Sequence, residues 1–155
     1  MQGRPGWAVQ RLCLVPPAEI LLETGNLTIR EGGLLTVTES RVEVVRCITR
    51  HSNPAPSISW RLGEKQLESA VQTNRTEEEG TKWRSESVLS YTFSQSSLAL
   101  QLSCVVNHPA YTAGPAQISA NLDVLCEYPL ECPLSEHKSS SPKNNYLWDD
   151  IRTSM

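Results

Sequence analysis

Five cysteines are the residues of this sequence best suited to covalent chemistry, either as disulfides or as metal ligands. Cys47 and Cys104 each lie in a stretch that alternates apolar with polar residues. Such alternation is typical of half-buried strands. A metal site is not expected, because Cys126, Cys132 and His137 lack the paired spacing of structural zinc ligands.

Side chains that could act as nucleophiles or bases show no catalytic arrangement. His51, His108 and His137 each lie in a loop-like or tail-like context, and no serine lies in a Gly-x-Ser-x-Gly elbow. The acidic run Glu77–Glu79 is typical of a solvated loop, and Glu31–Gly33 is a turn signal rather than a phosphate-binding loop. We therefore predict that the chain is not an enzyme and needs no cofactor.

Two asparagines lie in N-glycosylation acceptor sequences, Asn26-Leu-Thr28 and Asn74-Arg-Thr76. Asn53, Asn107 and Asn121 lack the hydroxyl residue two positions later. Both acceptor sequences fall in segments that we expect to be exposed. In a secreted setting, the sequence therefore predicts N-glycosylation at Asn26 and Asn74.

Length and charge limit the class of protein. The 155 residues suffice for one ordinary domain, and a net charge of −3 without a basic tract argues against a nucleic-acid partner. No apolar run of about 18 residues occurs, so direct membrane insertion of this chain is not expected. Gln10 and Arg11 interrupt the apolar stretch that a secretory signal needs. We therefore expect a fragment or an unusual isoform of a longer ectodomain.

Short strand-like segments recur along the chain between Gly, Pro, Asn and Ser turns, which predicts an all-β fold of two packed sheets. Leu100, Leu102 and Cys104 are expected to share one inward face. The segment from Asn74 to Lys82 is expected to be a charged loop, and 63–70 a turn with an edge strand. The predicted strands are Glu19–Leu22, Asn26–Arg30, Val42–Thr49, Ser57–Leu62, Ala70–Thr73, Lys82–Phe93, Leu98–Asn107 and Gln117–Leu125.

Proline and polar runs divide the chain into three parts. Val15-Pro-Pro17 is a stiff, extended linker, so we interpret residues 1–16 as an extended linker or the remnant of a preceding domain. Residues 17–126 form the predicted domain. Residues 127–155 become polar and low in complexity, which predicts a disordered C-terminal tail.

The strands and turns together resemble a known family. Cys47 followed by Asn53-Pro-Ala-Pro-Ser-Ile-Ser-Trp60, and then Leu102-Ser-Cys-Val-Val-Asn-His-Pro109, is similar to the second, C2-type immunoglobulin domain of cell-adhesion receptors. The nectin, sidestep and nephrin-like (irregular-chiasm) families carry such domains. Leu122-Asp-Val-Leu125 matches the end of their pattern, and Val15-Pro-Pro17 matches the junction that follows a variable-type domain.

The resemblance implies an immunoglobulin-like, two-sheet antiparallel Greek-key sandwich. It implies that Cys47 and Cys104 form a disulfide between the sheets and that Trp60 packs on this disulfide. Leu102 occupies the position where many immunoglobulin domains have a corner tyrosine, which favours the C2 type over variable or intermediate types.

The other cysteines have no assigned place in this pattern. Cys126 and Cys132 are close enough in sequence to form a local second disulfide. Cys13 is not expected to pair with Cys126, because the first strand starts at one end of a sandwich and the last strand finishes at the other. We expect Cys13 to be unpaired or to replace an apolar strand residue.

The resemblance also implies the function. A cell-adhesion or guidance receptor would use this domain for protein–protein recognition and as a spacer, with recognition chiefly in a variable-type domain. The expected partner is a cell-surface or secreted protein, another immunoglobulin-superfamily member included. The candidate binding surface comprises Arg61 and Gln117, as edge residues of the third and final strands, and the loop with His108 and Tyr111. Trp83 is expected to cover the edge of the core.

The expected location is extracellular or at the cell surface, in a parent protein that crosses the membrane once. The alternative is a secreted, soluble immunoglobulin-domain modulator or decoy that binds a receptor or a ligand. The two hypotheses share the same fold. They differ in whether the protein is held at the cell surface or secreted.

Overall fold

The computed structural model describes residues 13–68, 71–78 and 80–127. Within these ranges the chain forms β-strands and a single short 3₁₀ turn, Gln95–Ser97. The strands are β1 Glu19–Thr24, β2 Leu27–Ile29, β3 Gly33–Thr38, β4 Val42–Ser52, β5 Ser57–Leu62, β6 Lys65–Leu67, β7 Val71–Glu78, β8 Lys82–Thr92, β9 Gln101–Asn107 and β10 Ala116–Leu125.

The strands form two five-stranded sheets that pack face to face. Sheet 1 has the order β2-β1-β4-β8-β7, and sheet 2 has the order β3-β10-β9-β5-β6. The predicted all-β sandwich is confirmed. Its pairings are antiparallel apart from that of β3 with β10, which is parallel.

The parallel pairing of β3 makes sheet 2 a mixed sheet within the predicted antiparallel sandwich. After β2 the chain leaves sheet 1 and crosses to sheet 2 within Arg30–Gly33. Gly32 adopts a φ of +70°, and a Cβ at Gly33 would lie 2.8 Å from the carbonyl oxygen of Arg30. The two glycines therefore permit a crossing that other residues would strain. The sequence predicts a turn here and misses β3, which follows at once.

The core lies between the sheets, around a disulfide that joins Cys47 of β4 to Cys104 of β9. Trp60 is fully buried beside it, and its indole N–H donates a hydrogen bond of 2.9 Å to Ser87 Oγ across the core. Leu102, at the position of the absent corner tyrosine, is also fully buried. Other buried apolar residues are Leu22, Leu35, Val37, Val45, Leu89, Phe93, Val106, Leu122 and Val124.

The segment before β9 differs from the prediction. The 3₁₀ turn is followed by Ala99 with a φ of +63°, and the strand begins at Gln101 rather than at Leu98. Leu100 is consequently 39% exposed and does not share the inward face of Leu102 and Cys104. The predicted face is correct from Leu102 onward.

The edge strand β7 is longer than the sequence predicts. Its residues from Val71 to Glu78 pair antiparallel with β8, so Asn74 lies in a strand and the prediction of a loop is wrong over 74–78. An edge strand buries at most one of its two faces, so charged residues are tolerated at its other positions. The predicted edge strand within 63–70 is present as β6.

The incoming chain is attached to the domain at Val15. The backbone N–H of Val15 donates to Asn53 O at 2.7 Å, and Asn53 N–H donates to Val15 O at 2.8 Å. The side-chain Nδ2 of Asn53 also donates to Cys13 O at 3.1 Å. The domain boundaries stay predictions, since residues 1–12 and 128–155 lie outside the described residues.

Candidate functional site

The outer surface of sheet 2 carries two of the predicted binding residues. Because Trp60 and Cys104 point into the core, their neighbours along β5 and β9 point outward. The residues that point outward from the three central strands, β5, β9 and β10, are mainly hydroxyl and amide side chains. We call them the sheet 2 face. They are Ser59, Arg61, Gln101, Ser103, Val105, Gln117, Ser119 and Asn121.

Arg61 and Gln117 both line one shallow cleft of about 260 Å³ on this face, together with Leu100 and Ser103. Neither is an edge residue, which corrects the prediction. β6 pairs outside β5, and β3 pairs outside β10, so both residues lie in the interior of the sheet. Arg61 donates to Glu64 Oε2 at 3.2 Å. Both side chains are well exposed, so this ion pair contributes little to stability and leaves the guanidinium accessible.

Hydrogen bonds between neighbouring strands fix the remaining polar groups of the face. The hydroxyls of Ser103 and Ser119 are 2.9 Å apart. Gln101 Nε2 donates to Asn121 Oδ1 at 3.1 Å, and Asn121 Nδ2 donates to Gly32 O at 2.8 Å. These cross-strand contacts order the side chains before any partner arrives, which reduces the entropy lost on binding.

His108 is buried and supports the β9–β10 loop. Its Nδ1 accepts a hydrogen bond of 3.1 Å from the backbone N–H of Ala110, so the ring proton is on Nε2. Nε2 then donates to Pro54 O at 3.1 Å. With 6% of its surface exposed, His108 holds the loop in place and also lines the cleft at this end of the sandwich. Its role in binding stays a prediction.

Tyr111 is a half-buried aromatic residue of the same loop and packs against the edge of the core. Its ring meets His108 edge to face, with the centroids 5.8 Å apart. Burial raises the pKa of the Tyr111 phenol above its usual value, so the phenol stays a neutral hydrogen-bond donor. Tyr111 lines a cleft of about 360 Å³ with Pro54, Pro109 and Arg75, at the end of the sandwich where the chain enters.

The cleft and the sheet 2 face are continuous along β9. Ser103 pairs with Arg61, and Asn107 at the end of β9 lines the cleft. The four residue steps from Ser103 to Asn107 correspond to about 13 Å of strand. The structure therefore places the predicted residues on two regions of one side of the domain.

Trp83 is half-buried on the other side of this end. Its carbonyl accepts a hydrogen bond of 3.2 Å from Ser52 Oγ, and its ring lines a hollow with Pro54 and Arg75. This position agrees with the prediction that Trp83 covers the edge of the core.

The two glycosylation acceptors lie on sheet 1. Asn26 is exposed in the turn between β1 and β2, and Asn74 is exposed on β7. β2 and β7 are the two edges of sheet 1. The whole sequence has no further acceptor triplet, so none falls on sheet 2. Modification of Asn26 and Asn74 stays a prediction.

Of the three remaining cysteines, Cys13 and Cys126 lie among the described residues. Cys13 is exposed and free. Cys126 is disulfide-bonded, and its sulfur lies 3.1 Å from Gln95 Nε2. Its predicted partner, Cys132, lies outside the described residues, so that pairing stays a prediction.

Across 13–68, 71–78 and 80–127, no group of three or more His, Cys, Asp or Glu is placed to hold a metal ion. In these ranges no helix has the length and apolar character to span a bilayer.

Two packed sheets, bridged by a disulfide beside a buried tryptophan, define an immunoglobulin-like domain. The family model described as a CD80-like C2-set immunoglobulin domain matches residues 26–113. The chain belongs to this family, which confirms the predicted C2 type. The family is not generally enzymatic.

Two solved structures share the fold. The crystal structure of Rst D1-D2 is 20% identical with a TM-score of 0.60, and the match covers 72% of this chain and 51% of that chain. The full ectodomain (Ig1–Ig3) of mouse nectin-like molecule 4 is 19% identical with a TM-score of 0.52, and the match covers 72% of this chain and 35% of that one. No curated protein sequence matches the chain significantly.

Proposed function

We propose that the chain is a C2-type immunoglobulin domain from the ectodomain of a cell-surface adhesion or guidance receptor. In this role it recognises another protein and acts as a spacer that holds a neighbouring domain away from the membrane. Membership of the C2-set family and the fold shared with Rst D1-D2 and with nectin-like molecule 4 support this proposal.

The observation that carries the choice of surface is the position of the glycosylation acceptors. Asn26 and Asn74 both belong to sheet 1, where glycans would be bulky and hydrated. The sheet 2 face has no acceptor and has an ordered, polar surface with Arg61 accessible. Its continuation at the loop presents Tyr111. Arginine and tyrosine are enriched among the residues that dominate protein interfaces.

The size of this surface predicts a weak interaction. Three central strands about 4.8 Å apart and about 20 Å long give a face of roughly 300 Å². A standard stable interface buries about 800 Å² on each partner. The sheet 2 face therefore suits a transient contact that is strengthened when many copies are displayed together on a membrane.

The attachment of the incoming chain supports the spacer role. Val15 is fixed to Asn53 by two backbone hydrogen bonds, so the direction in which the chain enters the domain is defined. A preceding domain that ends just before Val15 would therefore be held by a short connection, and Pro16 and Pro17 restrict the backbone between Val15 and β1. Spacing requires such a connection, because a flexible linker does not fix the distance between domains.

A glycan placed on each sheet tests the surface. Gln117→Asn creates the acceptor Asn-Ile-Ser119 on the sheet 2 face, and Thr92→Asn creates Asn-Phe-Ser94 on sheet 1. Both positions are exposed in the unmodified chain. The chain is secreted from mammalian cells, biotinylated, tetramerised on streptavidin and applied to cells that display individual immunoglobulin-superfamily ectodomains.

We expect saturable binding to at least one ectodomain, a loss of tenfold or more with the glycan at position 117, and binding within twofold of the original with the glycan at position 92. Equal loss with both variants would contradict the assignment of the sheet 2 face. Absence of binding by the tetramer would contradict recognition by this domain. Recovery of the full-length parent from the medium instead of the cell surface would favour the alternative, a secreted modulator.

A further inference from the structure

The β2–β3 side of the domain has an apolar groove. β2 is the edge of sheet 1 and β3 is the edge of sheet 2, so two strand edges lie on the same side of the sandwich, and neither has a further strand beside it among residues 13–68, 71–78 and 80–127. The groove between them has a volume of about 330 Å³. Leu27 is 70% exposed and Leu34 is 65% exposed along its walls.

The acceptor Asn26 lies at the end of this groove. β1 and β2 form a hairpin whose two-residue turn is Gly25-Asn26, since Thr24 pairs with Leu27. Gly25 has a φ of +53°, as the first central residue of a type II′ turn requires. Thr24 and Leu27, which flank the turn, both line the groove, and Asn26 itself is exposed.

We propose that an N-linked glycan on Asn26 folds back over Leu27 and Leu34 and covers the β2–β3 groove. The first sugar of such a glycan is N-acetylglucosamine, whose ring has an apolar C–H face and a polar rim. The C–H face packs on the leucine side chains. Thr28 and Thr36, which also line the groove, provide hydroxyls for the polar rim, whereas the Thr24 hydroxyl donates to Val44 O at 3.3 Å.

A glycan over the groove would prevent association, because uncovered strand edges with apolar side chains pair with other chains. Proteins protect such edges with charges, prolines, bulges or a covering segment. The groove walls have one charged residue, Arg30, and no proline. A hydrated glycan supplies the missing protection and prevents a second copy from docking edge to edge.

The other acceptor provides an internal comparison. Asn74 lies on β7, the opposite edge of sheet 1. Its neighbours Thr73, Arg75 and Thr76 are exposed and polar, and no exposed large apolar side chain is described on β7. Among the described side chains next to Asn74, polar residues stand where Asn26 has two leucines, so we expect loss of the Asn74 glycan to leave the association state unchanged.

Variants of the secreted, glycosylated chain test the proposal by light scattering coupled to size-exclusion chromatography. Asn26→Gln removes the glycan and keeps both leucines, whereas Asn74→Gln removes the other glycan. Leu27→Ser keeps the acceptor triplet because its middle position is free, and it can be combined with Leu34→Ser. Peptide mapping establishes which asparagines carry glycans.

We expect Asn26 to be glycosylated, and the chain and the Asn74→Gln variant to be monomers. The Asn26→Gln variant should at least double its weight-average mass at the same concentration, and Asn26→Gln/Leu27→Ser/Leu34→Ser should return to the monomer. Enzymatic deglycosylation of the folded chain should reproduce the Asn26→Gln result, which covers the case in which that variant fails to fold.

An unmodified Asn26, or an Asn26→Gln variant and an enzymatically deglycosylated chain that both stay monomeric, would overturn the inference. Association of the triple variant to the same extent as Asn26→Gln would also overturn it, because the leucines would then not be the cause. The inference rests on the extracellular setting of the proposed function. If Asn74 is modified and Asn26 is not, this inference alone fails; if neither is modified, the extracellular setting fails with it.

Discussion

At the scale of single residues, the buried pair Trp60 and Ser87 links the two sheets. The indole of Trp60 belongs to sheet 2 and its hydrogen-bond acceptor, Ser87 Oγ, belongs to sheet 1. A buried indole N–H without an acceptor would lose its hydration without compensation. The serine is therefore as necessary to the placement of Trp60 as the apolar residues around it.

Replacement of Ser87 by alanine should lower the free energy of unfolding by about 1–3 kcal/mol, since the Trp60 N–H is left buried and unpaired. Ser90 lies on the same strand and faces outward, so Ser90→Ala should change stability by less than about 0.5 kcal/mol. Urea denaturation followed by tryptophan fluorescence measures both. Equal midpoints for the two variants would show that the hydrogen bond is dispensable.

The sequence predicts some of these residues and misses others for physical reasons. Cys47, Trp60 and Cys104 each lie on an alternating strand, so their inward direction follows from period two. Leu100 is misplaced because a 3₁₀ turn and the positive φ of Ala99 interrupt that period. The burial of His108 depends on a carbonyl from a distant loop, that of Pro54, which no local pattern indicates.

At the scale of elements, β3 depends on a side chain that continues its ladder. Gly32 N–H donates to Ser119 O at 2.8 Å, and the Ser119 N–H donates to Glu31 Oε2 at 2.7 Å. If the ladder between β3 and β10 continued past the start of β3, a backbone carbonyl would accept the Ser119 N–H. The carboxylate of Glu31 accepts it instead. It satisfies a donor on the buried Ser119 that would otherwise have no partner in the ladder.

Removal of this carboxylate in Glu31→Ala should lower the free energy of unfolding by about 1–3 kcal/mol, because the Ser119 N–H loses its acceptor. Glu31→Gln keeps an acceptor oxygen and should lose less than half as much. Glu64→Ala, which removes a fully exposed carboxylate, should leave the urea midpoint unchanged. A midpoint for Glu31→Ala that matches that of Glu64→Ala would rule out this role.

Two elements show the limits of sequence patterns. β3 has a recognisable alternation in Leu35-Thr36-Val37-Thr38, yet the preceding glycine pair predicts a turn and hides it. The last residues of β7 have no apolar period, because an edge strand is fixed by backbone pairing with β8. Central strands are predictable because both their faces are constrained; edge strands are predictable only in part.

At the scale of the whole molecule, the disulfide of Cys47 and Cys104 joins positions 57 residues apart. A crosslink of this length lowers the entropy of the unfolded chain and should stabilise the fold by about 4 kcal/mol. This value is a large part of the 5–15 kcal/mol that is typical of a domain. The double variant Cys47→Ala/Cys104→Ala should therefore be marginally stable.

Equilibrium urea unfolding measures the effect, with the oxidised chain as reference. Cys13→Ser removes the exposed free cysteine and should leave stability unchanged. A double variant that loses less than about 1 kcal/mol would contradict the estimate from loop length.

The parallel pairing of β3 with β10 has a mechanical consequence. The chain enters beside Asn53 at one end of the sandwich and leaves after Leu125 at the other. Tension on the two ends of the domain would first load Val15 and β1, which are paired with Asn53 and β4. Once β1 and β2 detach, it would pull β3 toward the entrance and β10 toward the exit, so these parallel strands would be sheared lengthwise. The six residue pairs of their register would bear the load together, whereas a hairpin pulled apart at its open end yields one pair at a time.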